Sequence, residues 1–382
     1  MTVRVRTALV AATALALSAA LAAPAIAAPP ARPGGHDATR RAVEAAVEAG
    51  VPGVTVTARD GRGSWSATAG LGDIGTGEPR SPRDHYRVGS VAKTFVATVM
   101  LQLEAEGRLS LDDTVEQWLP GLVHGGGHDG SRITLRQLLN HTSGIYNFLS
   151  DPDFRGTRMS PEGFFQHRYH PLTPEDLVAI AMRHEPYFTP GTDWKYSNTN
   201  YVLASRVIEK ATGRPYGTEI RRRIIEPLKL RNTSVPVTRV TVPSPSSRAY
   251  AKLAPTTTGP TYDVTEFHPS LAYGGGGVIS DSADLNRFYR ALLRGRLLPP
   301  EQLKAMKTTV TVPGRTNGRY GLGLIDRKLS CGVHVWGHGG DILGSLTEAV
   351  TTADGRHSLA FNFNGNWTGD TDKVIEAEFC AE

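Results

Sequence analysis

The sequence has little cysteine, no long apolar run after its first residues and only a small net charge. No stretch after residue 22 approaches the roughly 18 apolar residues of a membrane-spanning helix, so we expect no stable membrane insertion. The net charge is only +5, and basic residues do not cluster with interleaved aromatic residues, so we expect no nucleic-acid partner. With 382 residues and 40% hydrophobic composition, the chain can still bury a full core.

The first 27 residues have the pattern of an export signal. Arg4 and Arg6 form a short positive region, residues 8–22 are apolar or small, and residues 25–27 form an Ala-x-Ala cleavage site. Cleavage after Ala27 would lower the net charge from +5 to +3, because the segment contains two arginines and no acid. No cysteine lies near this site, so a lipoprotein is not expected. We therefore expect a secreted, cell-wall-proximal protein.

The two cysteines, Cys331 and Cys380, both lie in the C-terminal region. In an exported protein such a pair indicates a disulfide rather than a metal site or two free thiols. The bridge would tether the last predicted helix to a strand. We expect no metal ion and no cofactor.

Strand-like segments from both ends of the chain enclose a helical middle. A helix at residues 39–49 precedes the first strands, and residues 371–379 form the last helix. The other predicted elements are strands at 51–57, 63–71, 277–280, 320–325, 334–336, 346–351 and 358–362, and helices at 134–141, 174–183 and 200–213.

This order predicts an α+β fold with one antiparallel sheet flanked by helices, plus an all-helical lobe. Residues 38–110 and 275–382 would form the sheet-and-helix domain, and residues 111–274 the helical insertion domain. Residues 28–37 are rich in proline and glycine and should form a flexible lead-in. A substrate site is expected at the junction of the two parts.

A serine and a lysine lie three residues apart where a long apolar helix begins. Ser90-Val-Ala-Lys93 is the only Ser-x-x-Lys in the chain, and residues 94–106 follow as a helix. Residues three apart on a helix share a face, so the lysine amine can contact the serine hydroxyl, which is a poor nucleophile without a base. Apolar neighbours would desolvate Lys93 and lower the pKa of its amine.

Two further motifs follow the serine along the chain. Tyr196-Ser-Asn198 is the only Tyr-x-Asn and lies in a polar loop before a helix, and His338-Gly-Gly340 lies on a glycine-rich strand. In this order, the three motifs resemble those of the penicillin-recognising serine hydrolases, which comprise DD-peptidases, class C β-lactamases and related esterases.

Within that family, exported actinomycete D-alanyl-D-alanine carboxypeptidases show the strongest resemblance. It covers residues 37–380, and the histidine of the third motif favours this branch over the class C β-lactamases. The pair of cysteines also falls where this branch carries a disulfide. The similar segments are residues 86–93, 101–107, 196–201, 320–324 and 329–332.

The resemblance implies chemical roles for the matched side chains. Ser90 would attack a carbonyl and form an acyl-enzyme, with Lys93 as the candidate base. Tyr196 is the alternative base, or the acid that protonates the leaving amine. Because a phenol titrates at about 10, Tyr196 would need cationic neighbours, which Lys93 and His338 would supply.

The remaining matched residues would bind the substrate. Asn198 would hold the substrate amide and the Lys93 amine, and the backbone N–H groups of Ser90 and Asp341 would form an oxyanion hole. Gly339 and Gly340 would allow a substrate backbone to lie along their strand like an added strand.

One part of the third motif departs from the carboxypeptidases. There, threonines flank the second glycine and help to hold the terminal carboxylate of the substrate, and an arginine on the preceding strand assists. Here Gly339 and Asp341 occupy those positions and Ile325 the arginine position, with Arg327 as a candidate replacement cation. An anionic Asp341 would repel a carboxylate.

The expected function is therefore an exported serine-type D-Ala-D-Ala carboxypeptidase that β-lactams acylate, with a cell-wall D-amino-acid peptide as substrate. An esterase, an amidase or a D-amino-acid peptidase of the same fold is the alternative. A third hypothesis is a non-catalytic protein that binds peptidoglycan or β-lactams. The complete set of catalytic side chains argues against it. We expect a monomer.

Other residues are candidates for the surroundings of the site. Phe154 is expected to bind substrate, and Trp194 and Tyr273 are further candidates for the cleft wall. His141 is expected to cap a helix and brace its loop rather than take part in chemistry. The glycine run at residues 274–277 is expected to form a sharp turn and not a phosphate loop, because no Lys-Ser/Thr helix start follows it.

Overall fold

The computed structural model describes residue 2, residues 35–254 and residues 256–381. The predicted signal segment, apart from residue 2, and most of the predicted lead-in lie outside the described residues. In the part of the chain that is described, no helix has both the length and the apolar composition needed to cross a bilayer.

Most of the strands join in a nine-stranded, fully antiparallel main sheet. The strands are β1 (Gly53–Arg59), β2 (Ser64–Asp73), β3 (Glu78–Pro79), β4 (Tyr86–Arg87), β5 (His124–Gly125), β6 (His128–Asp129), β7 (Tyr250–Ala251), β8 (Tyr262–Asp263), β9 (Ile279–Ser280), β10 (Val310–Thr311), β11 (Gly318–Tyr320), β12 (Ile325–Lys328), β13 (His334–Ile342), β14 (Ser345–Thr352) and β15 (Ser358–Phe363). The order in the main sheet is β10-β11-β12-β13-β14-β15-β1-β2-β3. Strands from both ends of the chain thus pair directly, through β15 and β1.

Helices cover the sheet and make up most of the middle of the chain. The predicted all-helical lobe is corrected in one respect, because β5-β6 and β7-β8 form two small two-stranded sheets within residues 111–274. The helices are α1 (Asp37–Glu48), α2 (Ala92–Ala105), α3 (Val115–Trp118), α4 (Leu135–Leu139), α5 (Pro152–Arg158), α6 (Pro161–His167), α7 (Pro174–Met182), α8 (Asn198–Thr212), α9 (Tyr216–Ile220), α10 (Glu226–Leu228), α11 (Ser282–Leu293), α12 (Pro300–Lys307) and α13 (Thr371–Phe379). This mixed α/β architecture, with its large antiparallel sheet, confirms the predicted fold class.

Strand β15 shows how the sheet is buried on both faces. Phe361 and Phe363 belong to the apolar cluster that contains α1 and α13, whereas Ala360 belongs to the cluster that contains α2 and α11. Successive side chains of a strand point to opposite faces, so a sheet covered on both faces needs apolar residues at every position. All six residues of 358–363 are accordingly buried, and four of them are apolar, while Ser358 and Asn362 are polar.

Helix α2 lies at the junction of the sheet and the helical segment. Its residues are buried along nearly the whole helix, and they share one apolar cluster with α4, α7, α8 and α11. The residues before 110 and those of 111–274 therefore contribute to a common core. This arrangement fixes the start of α2 between the sheet and the helical segment.

Two predicted strands differ in the structure. Residues 320–325 are not one strand, because β11 and β12 pair antiparallel around a turn at residues 321–324. Residues 277–280 do not join the main sheet, because β9 pairs with β4 in a separate two-stranded sheet. The residues favour extended backbone in both places, but the sequence pattern could not show the reversal or the partner.

Cys331 and Cys380 form a disulfide in the structure, with a Cα–Cα distance of 5.6 Å. Cys331 lies in the turn between β12 and β13, and Cys380 follows α13 directly. The neighbouring Ser330 hydroxyl donates a hydrogen bond to Glu376 of α13 at 2.6 Å. The final helix is thus attached to the hairpin that carries the third motif.

Candidate active site

Ser90 lies in a short 3-10 turn, Gly89–Val91, that leads into α2. Two glycines allow this turn to touch β13. Gly89 has φ +53°, and a Cβ atom there would lie 2.9 Å from the Asp341 nitrogen, while a Cβ atom at Gly340 would lie 2.0 Å from the Val88 oxygen. Side chains at either position would push the turn and the strand apart. The two glycines therefore bring the Ser90 hydroxyl and the backbone of Asp341 into one site.

Lys93 is fully buried and makes three short contacts through its amine. The Lys93 Nζ lies 3.0 Å from Ser90 Oγ, 2.7 Å from Asn198 Oδ1 and 3.0 Å from the Gly275 carbonyl oxygen. Burial lowers the pKa of Lys93 well below its usual value of 10.5. A neutral amine has two N–H donors and one lone pair.

The two carbonyl-type oxygens around Lys93 can only accept hydrogen bonds, whereas a serine hydroxyl can also donate one. A neutral Lys93 therefore donates to Asn198 and Gly275 and directs its lone pair at the Ser90 hydroxyl. This is the arrangement that a general base requires.

Asn198 is held with its oxygen towards Lys93 by Asn147. The Asn147 side-chain oxygen accepts hydrogen bonds from the Asn198 backbone N–H at 3.1 Å and from the Asn198 side-chain nitrogen at 3.3 Å. Asn198 is also the first residue of α8, so the helix fixes its backbone. The second motif is thus anchored from both its main chain and its side chain.

Tyr196 lies beside Ser90 in a protonated form. Burial raises the pKa of its phenol, and the hydrogen bond between Tyr196 and the Ser90 side chain lowers it by less. The Lys93 Nζ lies 4.9 Å from the centre of the Tyr196 ring. Because the phenol keeps its proton, Tyr196 is better suited to give a proton to a leaving group than to take one from Ser90.

His338 does not supply the positive charge that was predicted for it beside Tyr196. Burial is the first cause, and Lys93 the second, that lower the pKa of His338 to about 3, so its ring is neutral. Its Nδ1 faces the carbonyl oxygen of Gly339, which can only accept, so Nδ1 carries the proton. His338 Nε2 then accepts a hydrogen bond from the Tyr320 hydroxyl at 2.9 Å.

The hydrogen-bond chain continues from Tyr320 to His141. The Tyr320 hydroxyl accepts from His141 Nε2 at 3.2 Å, and His141 Nδ1 accepts from the Ser197 backbone N–H at 3.3 Å and from the Asn200 amide at 3.2 Å. Burial lowers the pKa of His141 well below 6.5, so this ring is also neutral. His141 therefore links the loop of the second motif to the strand of the third, and its ring packs on Tyr196.

Ser90 opens onto a cavity of about 610 Å³ that Tyr196, His338 and Asp341 also line. Ser90 also lines a smaller cavity of about 70 Å³, with Phe148 and Tyr273 in its wall. Asp341 lines both cavities and accepts a hydrogen bond from Asn366 at 2.9 Å. Its side chain reaches solvent through the cavity mouth, but the surrounding protein atoms raise the pKa of its carboxyl.

A second carboxylate, Glu348 of β14, lines the larger cavity beside Gly339. A Cβ atom at Gly339 would lie 2.5 Å from Glu348 Oε1, so the Glu348 side chain fills the space that a threonine would take. Arg327 lies 3.4 Å from Glu348 and 2.8 Å from Asp372. The candidate replacement cation is thus held between two acids.

The wall residues differ in part from the prediction. Phe154 is a core residue that packs edge-on against Phe148, and it lines neither cavity at Ser90, so its predicted role in substrate binding is corrected. Phe148 lies between Phe154 and the cavity and takes that place. Trp194 lines the larger cavity and Tyr273 the smaller one.

The sequence analysis did not predict the roles of several residues in the site. Asn147 and Glu348 lie in no motif, and Gly275 and Tyr320 lie in segments that were noted without a role in the site. Each acts through a partner elsewhere in the sequence. The glycine run at residues 274–277 was the available signal, because its turn places the Gly275 carbonyl against Lys93.

The fold and these side chains define a serine hydrolase of the β-lactamase fold, in which a buried lysine contacts the nucleophile. The chain belongs to the beta-lactamase family, whose model matches residues 39–378. It is similar to penicillin-binding protein 4* of Bacillus subtilis, with 28% identity over 333 residues, which cover 82% of this chain and 68% of that protein.

Solved structures give more specific likenesses. A D-stereospecific amidohydrolase from Streptomyces sp. has 59% sequence identity and a TM-score of 0.87, covering 91% of this chain and 99% of that one. A D-amino acid amidase from Ochrobactrum anthropi SV3, complexed with L-phenylalanine amide, has 27% sequence identity and a TM-score of 0.76. The match covers 89% of this chain and 97% of that one.

Proposed function

We propose that this protein is an exported D-stereospecific amidohydrolase that cleaves amides or esters of D-amino acids through a Ser90 acyl-enzyme. The observation that carries the proposal is the pairing of Arg327 with Glu348 and Asp372. A carboxypeptidase needs a free cation for the terminal carboxylate of its substrate, and Arg327 already has two acidic partners. The similarity to the Streptomyces amidohydrolase supports the same substrate class. Export is supported by the pattern of residues 1–27 alone.

The chemistry follows from the hydrogen bonds of Lys93. The neutral amine takes the Ser90 proton while Oγ bonds to the substrate carbonyl carbon, and the backbone N–H groups of Ser90 and Asp341 stabilise the oxyanion. Tyr196 gives its proton to the leaving nitrogen as the C–N bond breaks and recovers one from Lys93. Water then attacks the ester carbonyl by the reverse proton path, which releases the acid and restores Ser90.

Asp341 provides a partner for the α-ammonium group of a D-aminoacyl substrate. Its carboxylate lies at the cavity mouth next to its own backbone N–H, which is the proposed oxyanion donor. The apolar pocket of Phe148 and Tyr273 starts at the same place and would receive the substrate side chain. Carbonyl, ammonium and side chain of one α-carbon would thus each have a binding group, and three such contacts can distinguish D from L substrates.

Hydrolysis of peptides with a free terminal carboxylate is the second candidate function, and Arg315 favours it. This exposed residue lies at the rim of the larger cavity, and no ion pair involves it in the described part of the chain. With Arg319, which also lines this cavity and is exposed, it is a cation that a terminal carboxylate could reach.

The test compares kcat/KM for D-phenylalanine amide, L-phenylalanine amide, N-acetyl-D-phenylalanine amide and an N-acetylated peptide ending in D-Ala-D-Ala. We expect the first to be the best substrate. Asp341→Asn should lower kcat/KM for it by about tenfold or more, because an ion pair with the ammonium is lost, and should leave the acetylated amide nearly unchanged. Asp153→Asn, which changes an exposed carboxylate outside the cavity, serves as the control.

A wild-type preference for the free-acid peptide that Arg315→Gln removes would overturn the proposal in favour of a carboxypeptidase. Labelling of Ser90 by a fluorescent penicillin without turnover of any of the four compounds would favour the binding-protein reading instead.

A further inference from the structure

A groove of about 730 Å³ lies between α10, α11 and the strands β1 and β2, and it shares no lining residue with the cavities at Ser90. We call it the basic groove. Six cationic side chains line it and no acidic side chain does. The six are Arg59, Lys229, Arg287, Arg290, Arg294 and Arg296.

We infer that the basic groove binds a linear polyanion that carries phosphate groups. Five of the six side chains are exposed and Arg290 is half-buried, so their charges face solvent. None of the six takes part in an ion pair within the described residues, whereas Arg206, Arg222 and Arg223 elsewhere in the protein all pair with glutamates. The charge of the groove is therefore available to a ligand.

Neutral acceptors hold three of these side chains in place without cancelling their charge. Arg290 donates to the carbonyl oxygens of Arg59 and Arg356, the latter at 2.7 Å, and Arg287 donates to the carbonyl oxygen of Lys229 at 2.9 Å. Arg59 donates to the Ser64 hydroxyl at 3.2 Å. A ligand would thus meet guanidinium groups that are already partly ordered, which reduces the entropy lost on binding.

The concentration of charge also costs the fold some repulsion, although Arg290 and Arg294 at the C-terminal end of α11 interact favourably with the helix dipole. Arg287, Arg290 and Arg294 follow one another at spacings of three and four residues on one face of α11 and its end. Like charges at these spacings destabilise a helix. Arg294 and Arg59 also lower the pKa of Arg290, after the larger effect of burial. A bound polyanion would remove this repulsion.

The chemistry of the groove indicates the kind of ligand. Five of its six cations are arginines, whose planar forks match phosphate oxygens in pairs. Arg287 and Arg294 are seven residues apart, which corresponds to about 10 Å along a helix axis. One phosphate cannot span that distance, so a chain with repeated phosphates fits better than a single anion. A second copy of this chain would bring further positive charge and does not fit.

The experiment measures binding of long-chain inorganic polyphosphate to the full-length protein at several salt concentrations. The double variant Arg287→Glu/Arg294→Glu is compared with Arg41→Glu/Arg132→Glu, which makes the same charge change at exposed residues outside the groove. We expect the groove variant to bind about tenfold or more weakly and to show a weaker salt dependence, with a slope reduced by roughly 0.7 for each lost contact. The control should bind like wild type, and both should hydrolyse D-phenylalanine amide normally.

Equal weakening in the two double variants would show a diffuse charge effect and overturn the assignment. Equal or tighter binding of polyglutamate, or of duplex DNA, would overturn the choice of a phosphate chain. Unfolding temperatures of all variants identify any loss that comes from misfolding, and Arg287→Gln/Arg294→Gln, which removes charge without reversing it, should show a smaller loss in the same direction.

Discussion

The buried Lys93 and the exposed side chains of the basic groove are basic residues in opposite environments. Lys93 is fully buried, surrounded by Ser90, Asn198 and Gly275, and burial lowers the pKa of its amine. The side chains of the basic groove lie at the surface, keep their charge and have no acidic partner among the lining residues. Desolvation makes Lys93 a base, and exposure keeps the side chains of the basic groove charged and available to a ligand.

The comparison also explains why arginine and lysine are not exchangeable at the two places. A base must be able to give up its proton, which an arginine does not do in proteins. A binding surface for phosphate gains from the fixed charge and planar donors of arginine. The sequence has lysine at residue 93 and mostly arginine in the groove, as these requirements demand.

Exchanging lysine for arginine at both places should give the largest contrast. Lys93→Arg should lower acylation by about a hundredfold or more, the scale of general-base catalysis, because the guanidinium cannot accept the Ser90 proton. Lys229→Arg makes the same change in the basic groove and should leave kcat/KM unaltered.

Rapid labelling by a fluorescent penicillin reports acylation in each variant. Lys93→Met, which removes the base without a larger side chain, distinguishes lost chemistry from a disrupted core. Near-normal acylation in both folded Lys93 variants would exclude Lys93 as the base.

The pH dependence of hydrolysis gives the second test. The active form of Lys93 is the neutral amine, so kcat/KM should fall about tenfold for each pH unit below the pKa of Lys93 and level off above it. Because burial places this pKa well below 10.5, the plateau should begin well below pH 10. A rate that still rises with unit slope up to pH 10 would mean that Lys93 keeps an ordinary pKa.

A smaller effect is expected from the hydrogen-bond chain behind the site. Tyr320→Phe removes the donor to His338 Nε2 and the acceptor for His141, so His338 should lose its fixed orientation. We expect kcat to fall by up to about tenfold, with KM nearly constant and the pH profile shifted, since Tyr320 acts through His338. Tyr262→Phe, which changes a tyrosine away from the site, is the control, and an unchanged kcat and profile in Tyr320→Phe would exclude the positioning role.

Much of the fold followed from local patterns. The helix at residues 371–379 was predicted with the bounds that α13 has, and β14 and β15 extend the predicted strands by one or two residues. These segments lie in contact with a covered sheet, where apolar periodicity is strong. The prediction of one strand at residues 320–325 was wrong. The reversal between β11 and β12 depends on strand pairing, which an alternating sequence pattern cannot reveal.

The site residues could be predicted where a local pattern fixes their contacts. Ser90 and Lys93 share one helical turn, so their contact follows from spacing alone. By contrast, Phe154 and Phe148 are both aromatic residues of the same segment, and the sequence could not tell which faces the cavity. Glu348 was missed because it reaches Gly339 across a strand pair.

The sequence by itself determined the chemical groups of this protein: the three motifs, the helix that places Ser90 beside Lys93, the pair of cysteines and the family. Only the tertiary structure decided the charge of those groups. His338 is neutral because it is buried, and Arg327 is unavailable because Asp372, 45 residues away in the sequence, and Glu348 bind it. Burial and pairing depend on residues that are distant along the chain, and for that reason no local pattern records them.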